Sequence, residues 1–297
     1  MKKIPVLDTI RFAYGFTFGH LGAIIGLIWL PMVIATVGGY FVLAEYYTAL
    51  PAALQAGNPA AIGQPVLIVM AWAFVSLLLY AMMYSAVTKQ ALGIRQGPAL
   101  IYFSFGGTEL RVFAAMLGLF AITIVFTVAY VVVDLLALAG IKLAVGQLPA
   151  TALAAVSGAV ALVLLIALAY ALIRLSFLLI PATVAEDRIG LGRAWELARG
   201  NVWRIVAVGL ATVLPLLLVL LAAEVAIVGP EFFLRHATAP AQDAAARMRE
   251  SVDQMKTMFQ HLPVLSALSF LLAPLVAGLT MAPSAFAYRA LTAPGER

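Results

Sequence analysis

Charge is scarce in this chain, and the residues able to do ionic chemistry cluster between Arg174 and Arg204. Only 10% of the 297 residues are charged, compared with about 25% in a typical soluble domain. In the stretch RLSFLLIPATVAEDRIGLGRAWELARGNVWR, a lone arginine within an apolar run is followed by a short segment rich in charge. Because guanidinium groups match phosphate and carboxylate oxygens two at a time, this stretch predicts the binding of an anionic group.

Arg174 is the charge whose position most needs a physical explanation. It precedes Glu186, the first of the clustered charges, by about ten residues, which in a helix is on the order of 15 Å. A charge at that depth in hydrocarbon costs about 3 kcal/mol or more unless it pairs or reaches the interface. One interpretation is a contact to a lipid phosphate or an acidic substrate. The other is a structural arginine that bonds backbone carbonyls freed by Pro181.

The charged segment that follows predicts a short helix with a basic face. Gly190 and Gly192 precede RAWELARGN, whose apolar residues recur at helical spacing, and Gly200 or Asn201 ends the helix. We predict a transport or lipid-handling module that contacts an anionic lipid or small molecule. The alternative is a scaffold whose helix at 188–199 docks a protein partner on the cytoplasmic side. The predicted contact residues are Arg174, Glu186, Arg193, Arg199 and Arg204.

Two further carboxylates, Asp134 and Glu224, lie in apolar segments near their predicted outer ends. An ionisable group in such a position is a candidate proton or cation site. The alternative is a carboxylate that is solvated at the membrane interface. The sequence leaves both interpretations open.

The side chains needed for common catalytic and metal sites are sparse. The chain has three widely separated histidines, His20, His236 and His261, and no cysteine. It contains no HExxH, no GxSxG and no signature of a phosphate-binding loop. We therefore predict that the protein is not an enzyme and uses neither a metal nor a cofactor.

Long apolar segments must position these charges. Hydrophobic residues make up 64% of the chain, well above the 45–50% or so of soluble domains, so lipid is the expected solvent. A membrane-spanning helix needs about 20 apolar residues, and backbone exposed to lipid must satisfy its own hydrogen bonds. We predict an all-α, polytopic helix bundle that forms a single membrane domain over 1–297. Its six spans lie at about 20–44, 65–88, 111–139, 152–182, 204–228 and 263–288.

The distribution of lysine and arginine predicts how the bundle is oriented. Of the 18 lysines and arginines, 13 lie on one predicted side, which the positive-inside rule makes cytoplasmic. Both termini lie on that side, in what we predict to be a bacterial inner membrane. The net charge of +5 then reflects topology, with membrane lipids as partners and no nucleic acid. The five residues on the other side are Lys142, Arg235, Arg247, Arg249 and Lys256.

Two segments beside the spans predict amphipathic helices in the membrane interface. Residues 241–259 have apolar side chains at helical spacing and are expected to lie on the outer surface or to cap the bundle. The second segment is residues 5–19, whose expected apolar stripe comprises Leu7, Ile10, Ala13, Tyr14 and Thr17. Separately, Thr108 is the expected helix cap of the third span.

The chain also contains a weak internal repeat. FTFGHLGAIIGLIWLP, SFGGTELRVFAAMLGLF and LARGNVWRIVAVGLATVLP each place a glycine and a polar residue before a long span. Aligning His20, Arg111 and Arg204 also brings Pro31 and Pro215 into register. The six spans could thus form three parallel two-span repeats, an arrangement that occurs in transporters.

The spacing R-x-x-F-x-x-x-P-A-x-x-A-E-D, followed by G-x-x-x-A-W-x-x-x-R-G-N-x-W-R, resembles the bacterial glycerophosphoryl diester phosphodiesterase membrane-domain family and related six-span proteins. The earlier segment YFSFGGTELR is similar to that family's first cytoplasmic loop. In bifunctional members a separate barrel hydrolyses the phosphodiester, and this chain lacks that barrel's acidic and histidine motifs. The resemblance therefore implies a membrane module that handles lipids or anchors partners. It is carried by Arg174, Phe177, Pro181, Glu186, Ala194, Arg199, Gly200, Trp203 and Arg204.

Overall fold

The structure, a computed structural model, describes residues 2–55, 59–95, 103–145, 149–230 and 244–293. The regular secondary structure of these residues is entirely helical, which confirms the predicted all-α class. The nine helices of the described residues are α1 Val6–Gly19, α2 Leu21–Gln55, α3 Pro59–Leu92, α4 Gly107–Val145, α5 Ala150–Glu186, α6 Leu191–Leu197, α7 Val202–Thr212, α8 Leu214–Val228 and α9 Ala244–Thr292.

Five of these helices, α2 to α5 and α9, are long and apolar enough to cross a membrane. The bent pair α7 and α8 makes a sixth if the two form one span. With 35 residues, α2 measures roughly 50 Å, whereas the hydrocarbon core of a bilayer is about 30 Å thick. The two ends of the described chain meet at one end of the bundle, where the Lys2 ammonium donates to the carbonyl of Ala293.

The packed core lies in the half of the bundle that holds both chain ends. Buried apolar side chains from α1, α2, α3, α5 and α9 meet there. Close approach depends on glycine, since a Cβ on Gly278 of α9 would lie 2.6 Å from the side chain of Thr17 on α1. In the other half, α4 and α5 expose apolar side chains such as Val125 and Val163. Such faces suit lipid, because hydrocarbon exerts no hydrophobic force between helices.

The predicted span at 204–228 is wrong as one continuous helix, because the chain bends by 41° between α7 and α8. Pro215 has no N–H, so it cannot bond the carbonyl of Ala211 four residues earlier. The hydroxyl of Tyr14 on α1 donates to that carbonyl at 2.8 Å instead. The acceptor freed by the proline is therefore satisfied by a different helix.

The segments that flank the spans also differ from expectation. The described part of 241–259 is continuous with the last span in the 49-residue α9, although Pro263 lies inside it. This corrects the prediction of a separate surface helix there. On α1, the buried residues match the predicted stripe only in part, because Ala13 and Thr17 are buried whereas Leu7 is 69% exposed. Thr9 and Phe16, which were not in the predicted stripe, are buried as well.

The repeat finds a partial parallel in the helices. The short helix α1 precedes α2, and the short helix α6 likewise precedes α7. The aligned prolines behave differently, because Pro31 lies inside the continuous α2 whereas Pro215 follows a bend. The repeat stays a prediction.

Candidate functional site

The connection from α5 to α7, residues 186–204, folds back along the bundle instead of extending away from it. Asp187 ends α5 in a left-handed conformation, with φ of 50°. The N–H of Gly190 then donates to the hydroxyl of Thr183 at 3.1 Å, and that hydroxyl donates to the carbonyl of Leu179 at 2.7 Å. The reversal lays α6 against α5, where Ala194 and other small side chains are fully buried.

Gly190 is the position on which this docking depends. A Cβ there would lie 2.9 Å from the backbone nitrogen of Thr183, and its φ of −88° is open to any residue. We expect Gly190→Ala to weaken the docking of α6 by about 1–3 kcal/mol through overpacking. Hydrogen exchange of peptides covering 190–199 should be faster in the variant.

The matched control for Gly190→Ala is Gly192→Ala. An added Cβ at Gly192 has no heavy atom within 4 Å, so exchange should be unchanged or slower, because alanine favours helix over glycine. Equal acceleration in both variants would contradict the steric account.

Glu186 binds arginines of its own connection. Its carboxylate accepts hydrogen bonds from Arg188 at 2.6 Å and from Arg193 at 2.8 Å. The hydroxyl of Tyr288 on α9 donates to the same carboxylate at 3.0 Å. The hydrogen bond to Glu186 raises the pKa of Arg193 above its ordinary value, so this guanidinium stays charged and paired. Glu186 and Arg193, both predicted ligand contacts, therefore neutralise one another.

Arg174, the predicted intramembrane arginine, is 7% exposed and lies between α5 and α6. Its guanidinium carbon sits 3.6 Å from the ring centroid of Trp195, and Nη2 donates to the carbonyl of Trp195 at 2.7 Å. Nη1 lies 3.4 Å from the hydroxyl of Tyr170. Among the described residues, no carboxylate pairs with Arg174 and no acceptor reaches its buried Nε. The carbonyl it binds belongs to Trp195, not to the residue freed by Pro181.

The turn between α6 and α7, residues 198–201, carries the N-terminal segment. Asn201 accepts a bond from the N–H of Ile4 at 3.1 Å and donates to the carbonyl of Lys2 at 3.2 Å. Lys3 donates to the carbonyl of Gly200 at 3.0 Å. Gly200 has φ of 72°, but α6 already ends at Leu197, so the predicted stop at Gly200 or Asn201 falls in the turn that follows the helix. We call residues 198–204 the basic turn, because Arg199 and Arg204 both lie there.

The cations of the basic turn have no acidic partner among the described residues. Arg199 is exposed, and its guanidinium makes no hydrogen bond or ion pair within the described chain. Arg204 donates to the carbonyl of Ile4 at 2.8 Å, which leaves its charge uncompensated. Between them, Trp203 is 83% exposed. Of the five predicted contact residues, these two arginines are the ones that the fold presents outward with free charge.

A buried ion pair on α3 and α4 was not predicted. Glu109 is 1% exposed and accepts bonds from Lys89 at 2.8 Å and from Ser85 at 3.2 Å. Its second oxygen accepts from the N–H of Gly106 at 3.0 Å, so Glu109 caps α4. Thr108, the predicted cap, donates instead to Asp187. A glutamate at the third position of a helix is a capping signal that the sequence did contain.

Asp134 and Glu224 lie on different helices, α4 and α8. Neither carboxylate makes a hydrogen bond or an ion pair with another described residue, and one carboxylate oxygen of Asp134 is buried without a partner in the described chain. Their assignment to an ion or proton site stays a prediction. In the described ranges, no group of three or more histidine, aspartate or glutamate side chains is close enough to hold a metal.

An apolar groove of 580 Å³ runs beside the basic turn. Its walls come mainly from α5, α7, α8 and α9, and its lining includes Ile205 and Val206, which directly follow Arg204 in the chain. A second cavity of 230 Å³ lies between α2, α3, α8 and α9. Tyr84 lines both spaces. We call the larger one the lateral groove.

Comparison with known proteins adds no identification. No protein-family model, curated protein or solved structure matches this chain. The resemblance to the glycerophosphoryl diester phosphodiesterase membrane domain therefore stays a prediction, and function has to be argued from the geometry.

Proposed function

We propose that the protein is a lipid-handling membrane module that binds an anionic headgroup at its basic turn. The observation that carries the proposal is that Arg199 and Arg204 are exposed and that no carboxylate of the described chain pairs with either of them. Arginine in such a state is available for bidentate bonds to phosphate oxygens. Basic residues at a membrane surface attract anionic lipid by about 1 kcal/mol each.

Two neighbouring features support a lipid over a soluble anion. Trp203 is exposed between the two arginines, and tryptophan favours the level of lipid headgroups. The residues that follow Arg204, Ile205 and Val206, line the lateral groove, so an apolar chain and a headgroup could be held together. Arg174 contributes by holding Trp195, and with it α6, which fixes the basic turn.

The scaffold alternative relies on the helix at 188–199. Ala194 of α6 and Ala198, directly after the helix, are used against α5 inside the bundle. The outward side chains of α6 include Arg193 and Glu196, which pair with each other at 3.5 Å. A partner would therefore meet a largely neutralised polar face on α6 itself, and the free charge of Arg199 lies after the helix, in the basic turn, which favours the lipid proposal.

The test compares phosphatidylglycerol with phosphatidylcholine as the lipid retained by the protein in native mass spectrometry. The wild type should retain phosphatidylglycerol preferentially. We expect the double variant Arg199→Gln, Arg204→Gln to lose about 2 kcal/mol of that preference, or roughly thirtyfold. The measurement is the ratio of the two lipids bound at equal concentrations.

The matched control is the double variant Arg11→Gln, Arg188→Gln. It removes the same charge from exposed arginines outside the basic turn. The control should keep the preference for phosphatidylglycerol. Equal loss in both double variants, or equal retention of both lipids by the wild type, would contradict the proposal.

A further inference from the structure

The lateral groove exists because α8 leans away from the bundle. The bend after Val213 separates α8 from α5, and α8 packs chiefly on α7 and α9. Three of the groove's lining residues on α7 and α8 are between 41% and 54% exposed, so the groove opens sideways. These residues are Leu210, Leu214 and Leu217.

The groove also has space beside the backbone of α7, at Gly209. Gly209 lines the groove in the middle of α7, and an added Cβ there would meet no heavy atom within 4 Å. On the opposite wall, Ser176 of α5 is exposed to the same space. The space is therefore bounded by two helices that do not close on each other at this level.

The lining of the groove includes a polar group that the described protein leaves unbonded. Tyr84 packs against Tyr80 with ring centroids 5.8 Å apart, and its hydroxyl makes no hydrogen bond to another described residue. Tyr84 lines both the lateral groove and the 230 Å³ cavity. The rest of the groove's lining is mostly apolar, with Ser176 and Thr280 as further hydroxyl-bearing residues.

We infer that the lateral groove is an acyl-chain site, which holds one chain of the anionic phospholipid whose headgroup binds the basic turn. The inference rests on the proposed function and extends it from the headgroup to the chain. Charge complementarity fixes the occupant, because Arg204, which is exposed, directly precedes Ile205 and Val206 in the lining of the groove. Burial of the chain gains little by itself, since the chain already lies in hydrocarbon. Selectivity then comes from the headgroup, and the groove sets the position of the chain.

The test uses phosphatidylglycerol that carries a photoactivatable diazirine in one acyl chain, reconstituted with the full-length protein in phosphatidylcholine vesicles. We expect crosslinks on peptides that cover α7 and the groove face of α5. Gly209→Phe, which fills the groove, should reduce this labelling about tenfold. Gly209→Ala adds the same Cβ without filling the space and should keep most of the labelling.

Gly158→Phe is the matched control, because Gly158 is also a mid-helix glycine with open space but lines a different cavity, between α4 and α5. It should leave labelling of α7 unchanged. If Gly209→Phe fails to fold, Ser176→Phe fills the groove from the opposite wall and should have the same effect. Labelling of α7 that is equal in the filled variants and in Gly158→Phe would overturn the inference.

The same probe separates the two proposals. A phosphatidylcholine probe that labels the groove as well as phosphatidylglycerol does, with labelling lost in Gly209→Phe, keeps the acyl-chain site and contradicts the headgroup preference. A retained preference for phosphatidylglycerol with labelling insensitive to Gly209→Phe keeps the headgroup site and overturns the groove. Crosslinks that join α7 to another protein and not to the lipid would also overturn the acyl-chain site.

Discussion

Glu109→Ala is expected to lower the free energy of unfolding by about 3–5 kcal/mol, the cost of breaking a buried ion pair by removing one partner. The change leaves the Lys89 ammonium, whose side chain is 22% exposed, facing a vacated apolar space. It also removes the acceptor of Ser85 and of the Gly106 N–H. Chemical unfolding in detergent, followed by helical circular dichroism, measures the loss.

Two further variants show that the loss comes from the stranded charge. The double variant Lys89→Met, Glu109→Leu removes both charges and should recover most of the stability, because apolar residues often replace buried pairs at little cost. Glu196→Ala breaks a surface pair with Arg193 and should change stability by less than about 0.5 kcal/mol. A Glu109→Ala protein as stable as the wild type would contradict the assignment of a structural pair.

Arg174→Ala is expected to release α6 from α5 while leaving most of the bundle folded. The variant loses a cation–π contact worth about 2 kcal/mol when shielded from water, and a charged hydrogen bond worth about 1.5–3 kcal/mol. It also removes a guanidinium whose burial in hydrocarbon costs about 2.5 kcal/mol or more. We therefore expect a small change in global stability and a local change at α6.

Hydrogen exchange of peptides covering 190–199 measures that local change. It should be faster by about 10–100-fold in Arg174→Ala, which corresponds to about 1.4–2.8 kcal/mol of lost docking. Arg174→Lys keeps the charge but not the planar guanidinium, and should show an intermediate effect. Unchanged exchange together with lost phosphatidylglycerol preference would instead assign Arg174 a direct contact to the ligand.

Hydropathy was enough to predict the helices, because apolar length decides which segments suit hydrocarbon. It could not predict which proline breaks a span. Beside Pro31, the neighbouring Ile28 and Met32 are buried in the core, and packing keeps α2 continuous. Pro215 lies in the first turn of α8, which has few packing neighbours. Packing therefore does not keep α8 in line with α7.

The candidate site, like the helices, could be predicted only in part from the sequence. Charge clustering marked the connection from α5 to α7 and the unusual position of Arg174. The partner of Arg174 lies 21 residues later, on a helix whose direction depends on Gly190 approaching Thr183. No periodicity connects two residues across such a reversal. Which arginines keep free charge was likewise decided by Glu186, whose carboxylate takes Arg188 and Arg193 and leaves Arg199 alone.

The bond from Tyr14 to Ala211 has a consequence for biosynthesis. Its donor and acceptor are 197 residues apart, and Lys2 is 291 residues from its acceptor, Ala293. At a synthesis rate of about 5–20 residues per second, the segment of α7 that accepts the bond from Tyr14 is translated on the order of 10–40 s after α1. We therefore expect the break at Pro215 to be synthesised before the hydrogen bond from Tyr14 can form, and this end of the bundle to close late in folding.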